Sequence, residues 1–170
     1  MKQVVFITAP EIFRDEEYAI PKKVLEDAKV KVVTASTKKG EIIGKLGMKA
    51  ISDITINEIN PENFDAIIYV GGAGANIFFK NVTALKLARD FFNSGKPTTA
   101  ICIAPTILAN AGILKGKTAT VFADGREDLE KGGANYTGKP LEIDKNIITA
   151  DGIEAAEIFA KAILNALQKS

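Results

Sequence analysis

A chain of 170 residues, 46% hydrophobic and 25% charged, can bury one sizeable core and does not have the composition of a disordered segment. Twenty-two basic residues against twenty-one acidic ones leave a net charge of +1, and no basic run interleaved with aromatics is present, so nucleic acid is not an expected partner. One cysteine permits no internal disulfide, and without histidine a metal would have only carboxylates and one thiolate, so no metal and no other cofactor is expected.

The chain begins with a strand, VVFIT at 4–8. The apolar run VVFITA is too short for a signal-peptide core, and no run is long enough to span a bilayer, so the expectation is a cytoplasmic protein without a membrane partner. A helix follows over 18–28 (YAIPKKVLEDA), then a strand over 30–36 (VKVVTAS). The glycine-punctuated stretch 40–59 reads as a small β excursion before Pro61. Next come a strand at 66–70 (AIIYV), a helix at 83–95 that stops at Gly95, a strand at 97–101 (PTTAI) and a helix at 104–112 that stops at Gly112. Strands at 118–122 (TATVF) and 146–150 (NIITA) precede a last helix over 152–167. Short β-branched runs without a polar face suit strands buried on both sides, and their alternation with helices implies right-handed crossovers. The expected fold is α/β, one domain over 1–170, with a doubly wound, mostly parallel sheet sandwiched by helices.

In open sheets of this kind ligands sit beyond the carboxyl ends of the strands, so the loops there are searched first for chemistry. After the first strand lie Glu11, Asp15, Glu16 and Glu17. Most of such a cluster is explained by solvation and by the preference of acids for a helix N-terminus, which leaves room for one member to point inward. After the third strand comes GGAGAN, where Gly71 and Gly72 allow a tight turn and free amides that suit an oxyanion. Ile77 stands where a GxGxxG fingerprint starting at Gly72 needs its third glycine, which argues against a dinucleotide.

After the fourth strand comes Cys102, the chain's single thiol. A free cysteine is by itself most simply a small buried hydrophobe. Its place between a strand and a helix opened by Ala104 and Pro105 favours the other reading, since helix-terminal amides stabilise a thiolate. The arrangement is similar to a nucleophile elbow, although no GxSxG motif is present.

AICIAPTILANAGILKGKTATVF resembles the nucleophile region of the ThiJ/PfpI family, within the class I glutamine amidotransferase-like superfamily. YVGGAGAN resembles that family's glycine loop, and FRDEEYAIP its first-helix motif, in which a glutamate precedes a proline by four positions; here these are Glu17 and Pro21. The resemblance runs in matching order through nearly the whole chain. It implies a flavodoxin-like sandwich with a nucleophile elbow, a homodimer, Cys102 as a low-pKa nucleophile and Glu17 as its protonated partner. Gly71, Gly72, Ile103 and Ala104 supply the implied oxyanion and substrate-binding positions. Two positions depart from the family: peptidase-like members carry histidine where this chain has Ile103, and another branch carries one in the region of Phe122.

Without imidazole, protonation of a departing amine has no obvious donor, whereas addition of a thiolate to an aldehyde expels no leaving group. The expected function is therefore glyoxalase- or deglycase-type chemistry on small carbonyl substrates such as α-oxoaldehydes or glycated groups. The alternatives are a redox-sensing stress-response protein, in which Cys102 is oxidised to a sulfinate, a weak intracellular protease or amidase, and an inert binding scaffold.

Overall fold

The strands form where β-branched residues leave no polar face, and each sends alternate side chains to opposite sides of one sheet. A computed structural model describes residues 1–169; Ser170, the last residue of the expected domain, lies outside the described residues. In chain order, β1 (Gln3–Ile7), β2 (Glu11–Phe13) and α1 (Asp15–Asp27) lead to β3 (Lys31–Ser36), the β4–β5 hairpin (Gly40–Gly44 and Lys49–Ser52) and β6 (Ile54–Thr55). Then come β7 (Ala66–Tyr69), α2 (Val82–Asn93), β8 (Thr98–Ile101), α3 (Pro105–Asn110), β9 (Thr118–Ala119) and α4 (Arg126–Lys131). The chain finishes with β10 (Asn135–Tyr136), β11 (Leu141–Asp144), β12 (Ile147–Ala150) and α5 (Ala156–Lys169).

The main sheet has the order β11-β12-β8-β7-β1-β3-β6, parallel except for the antiparallel edge strand β11. Alternation along the strands divides the core in two. Val5, Ile7, Ile67 and Tyr69 pack with Leu87, Phe91 and Ile107 of α2 and α3 on one face. Val4, Phe6, Ile68 and Ile148 pack with Tyr18, Leu25, Phe159 and Ile163 of α1 and α5 on the other. The expected doubly wound α/β sandwich is what forms, and no helix among the described residues is long and apolar enough to cross a membrane.

Three local expectations need correction. The run at 118–122 is a strand only over Thr118–Ala119, and it pairs with β10 outside the main sheet. Beyond Ala119 its amides are drawn elsewhere: Thr120 N–H donates to the Thr149 hydroxyl at 2.9 Å, and Phe122 N–H to the Cys102 carbonyl at 2.7 Å. The first helix begins at Asp15 and not at 18, which gathers Asp15, Glu16 and Glu17 into its first turn, where the helix dipole favours acids. The last helix begins at Ala156, after a 3₁₀ turn at Ile153–Ala155. Strands β2, β10 and β11 and helix α4 are too short or too polar to stand out in the sequence.

Candidate active site

Strands β1, β7, β8 and β12 all deliver their carboxyl ends to one rim of the sheet, and there the three stretches singled out in the sequence meet. They enclose a cavity of about 450 Å³ that reaches Glu17, Gly72, Cys102 and Ile103, with Arg14 and Lys45 also on its wall.

Cys102 follows β8 directly and has φ +64, in the left-handed region that a residue with a Cβ seldom occupies. Such a conformation costs of order 1–3 kcal/mol and persists only where the surroundings impose it. Here two hydrogen bonds do so, from Cys102 N–H to Ala150 O at 2.9 Å and from Phe122 N–H to Cys102 O at 2.7 Å. The result is an elbow that presents a half-buried thiol to the cavity.

Of the four acidic residues near the first strand, the fold assigns each a different place. Glu11 is exposed on β2, and Glu16 forms an ion pair with Arg14 at 3.0 Å. The Asp15 carboxylate accepts hydrogen bonds from the amides of Leu46 and Met48 at 3.2 and 3.1 Å, which fastens the β4–β5 turn to α1. Only Glu17 turns inward, 1% exposed and beside Cys102. Its Oε1 has no hydrogen-bond partner, a costly state for a buried carboxyl unless something else comes to use it. Pro21 bears on the same residue, because it lacks the N–H that would otherwise bond the Glu17 carbonyl.

Gly71 shows why this contact is possible. A Cβ there would lie 2.6 Å from Cys102 Cβ, from Glu17 Oε1 and from the Ile101 carbonyl, so the missing side chain is the space in which thiol and carboxyl approach. Gly72 has φ +102, and a Cβ on it would collide with the backbone of Ile12 to Arg14. The amides of Gly72 and Ile103 both hydrogen-bond the sulfur. Ala104 supplies no such group, which corrects the expectation for it: its N–H is spent on Ile101 O at 3.1 Å and the residue is fully buried. Gly71 likewise acts through its absent side chain, while its carbonyl accepts the Arg14 amide at 3.0 Å.

Burial pushes the Glu17 carboxyl up to about 7, against opposing contributions from the Cys102 hydrogen bond and the Arg14 charge. Burial, and then the Glu17 charge and hydrogen bond, push the Cys102 thiol up to about 12; the amides of Gly72 and Ile103 pull the other way. Two amides reach the sulfur, but desolvation outweighs them, so they do not hold Cys102 as a thiolate unaided. The upward influence of Glu17 requires an ionised carboxylate; once Glu17 holds the proton, the carboxyl becomes a donor toward sulfur. The two groups thus titrate as a pair.

Lys45, Phe122, Asp124 and Ile153 complete the cavity. Lys45 carried no signal in the sequence, because it is brought there by the docking of the hairpin onto Asp15 and β2, where its own N–H donates to Phe13 O at 2.9 Å. Arg14 was legible only as part of the first-helix motif.

A strained cysteine at a strand–helix elbow, beside a buried carboxyl and two converging amides, defines the class: an α/β sandwich with a nucleophile-elbow cysteine site. The chain belongs to the DJ-1/PfpI family, whose match extends over residues 2–166. An uncharacterised protein of Methanocaldococcus jannaschii is 42% identical over 99% of this chain and 83% of its own length. Deglycase PfpI of Pyrococcus furiosus is 34% identical, over 87% of this chain and 89% of its own. Among solved structures, a ThiJ/PfpI domain protein from Brachyspira murdochii superposes with a TM-score of 0.97 at 30% identity, covering 99% of this chain and 97% of its own. Drosophila melanogaster DJ-1beta gives 0.88 at 26% identity, over 99% and 94%.

Proposed function

We propose that this protein is a cysteine enzyme that adds Cys102 to the aldehyde of small α-oxoaldehydes and converts them to 2-hydroxy acids, with removal of glycating carbonyls as the related activity. The observation that carries the reading is the buried Glu17 carboxyl, its Oε1 unpartnered, set against a thiol that two backbone amides also reach. Similarity to a protein named as a deglycase supports the same chemistry.

In the first step the sulfur bonds to the aldehyde carbon, and its proton passes through Glu17 to the aldehyde oxygen, giving a hemithioacetal. Glu17 then removes the hydrogen from that carbon as a proton and returns a proton to the neighbouring carbonyl carbon, while the proton of the hemithioacetal hydroxyl passes to the neighbouring carbonyl oxygen. The former aldehyde carbon is oxidised to a thioester while the ketone is reduced to an alcohol, so no external oxidant is consumed. Water cleaves the thioester, releasing the 2-hydroxy acid and restoring the thiol. The amides of Gly72 and Ile103 are the donors for the oxyanions that develop. A carboxyl that titrates at about 7 suits both directions of this proton transfer near neutral pH.

The test is incubation with methylglyoxal, following lactate by chromatography and the mass of the Cys102 peptide. Lactate from the wild type and none from C102A is expected; lactate formed equally by both rules the reading out. A stable sulfinate on Cys102 after peroxide, with no lactate, would instead favour the redox-sensing alternative, which the spare hydrogen-bonding capacity of Glu17 also suits. Peptide hydrolysis is not proposed, because the chain has no histidine to protonate a departing amine.

We further propose a homodimer, supported by Ile43 and Ile51, which stand 43% and 59% exposed on the hairpin. Glu41 pairs with Ile51 and Ile43 with Lys49 across that hairpin, so both isoleucines share its outer face.

A further inference from the structure

Two of the large apolar side chains that the molecule leaves exposed converge on the cavity over Cys102 from separate parts of the chain. Phe122, 44% exposed, comes from the segment after β9; Ile153, 38% exposed, comes from the turn before α5. The half-buried Ile103 continues the same wall beside the nucleophile. Phe122 is not on a loose segment. Its N–H is held by the Cys102 carbonyl at 2.7 Å and its carbonyl by Gly125 N–H at 2.8 Å, so the backbone beneath the ring is fastened to the nucleophile's own residue.

The charged groups at the rim offset one another. Lys45 and Asp124 carry opposite signs, and Arg14 is engaged by both carboxylate oxygens of Glu16, at 3.0 and 3.2 Å. A charged substituent on a substrate therefore meets a nearly balanced rim, whereas an apolar one displaces water from three hydrophobic side chains.

We infer that the wall of Phe122, Ile103 and Ile153 selects the group on the keto side of the substrate, favouring 2-oxoaldehydes with an aromatic or branched substituent over methylglyoxal. The inference rests on the α-oxoaldehyde reading above and leaves its bond changes as written. It also gives Phe122 a role, at a position where a family branch carries histidine: the ring acts on substrate choice and takes no part in proton transfer.

Initial rates with phenylglyoxal and methylglyoxal, each normalised to its addition to a small-molecule thiol, test the selection in wild type, F122A and I153A. The normalised kcat/KM is expected to favour phenylglyoxal about tenfold in the wild type, and the ratio to fall toward one in F122A. A wild-type ratio at or below one, or a ratio unchanged in both variants, overturns the inference. A binding measurement separates this failure from failure of the reaction: protection of Cys102 against iodoacetamide by mandelate and by lactate, the two corresponding hydroxy acids. Stronger protection by mandelate, lost in F122A, upholds the apolar wall even without turnover, and it is then the proposed reaction that falls. Equal protection by the two acids overturns the wall.

Discussion

Glu17 keeps its proton to about 7 because the fold takes its carboxyl out of water, and that has a measurable consequence for stability. A carboxyl whose folded pKa lies above its unfolded value binds its proton more tightly when folded. Stability is therefore greatest below the unfolded value and declines as pH rises from about 4.5 toward about 7, by roughly 3 kcal/mol in all. Denaturant unfolding from pH 4.5 to 7.5 should show this decline in the wild type and lose it in E17Q; a decline that persists undiminished in E17Q assigns it to other groups. Gly71 admits a second prediction. In G71A the new methyl would meet the Ile101 carbonyl as well as Cys102 and Glu17, and backbone cannot step aside cheaply, so at least a tenfold loss of iodoacetamide reactivity or of turnover is expected. Wild-type reactivity in G71A would show that the dyad does not need that space. The acidic loop pointed to four candidates, and only the glutamate-to-proline spacing singled out Glu17. The residues that stand against its carboxyl, Gly71 and Cys102, lie far from it in sequence.

At the scale of elements, the β4–β5 hairpin is held to the site by the pairing of β4 with β2 and, at its turn, by one carboxylate. Asp15 is nearly buried, and Gly44 lies so close that a Cβ there would strike its carboxyl. Removing it in D15A leaves the Leu46 and Met48 amides without their acceptor and should cost about 2 kcal/mol. Hydrogen exchange at those two amides is expected to rise well above that of β4 itself; exchange unchanged from wild type would mean that the turn holds its place without Asp15. The inner strands of the main sheet were readable because they are rich in β-branched residues and buried on both faces, as in β7 and β12, whereas the partly exposed edge strand β11 was not. The segment after Ala119 was not, because the same apolar run that suits a strand is bent over the elbow by its hydrogen bonds to Thr149 and Cys102. Nor was β2, a three-residue strand whose partner β4 is almost thirty residues further along the chain.

For the whole molecule, the order of the three motifs along the chain was enough to bring the sheet and its active rim together, since each follows a strand of one parallel sheet. What the order does not contain is how the helices and hairpin close over that rim, and hence the presence of Lys45 and the apolar wall of Phe122 and Ile153. Static light scattering is expected to return twice the 18.2 kDa chain mass, and a charge at Ile43 or Ile51, as in I43E or I51E, to reduce it to one chain. A monomer mass for the wild type across working concentrations removes the dimer. The central claim is that a single inward-facing carboxyl shuttles the protons for Cys102, and it is tested most directly by the rate of lactate formation from methylglyoxal in wild type, E17Q and E11Q. Loss of one acid–base group predicts a fall of about a hundredfold or more in E17Q, with E11Q, altered at an exposed position, within about twofold of the wild type. An E17Q variant that turns over at the wild-type rate would contradict the account.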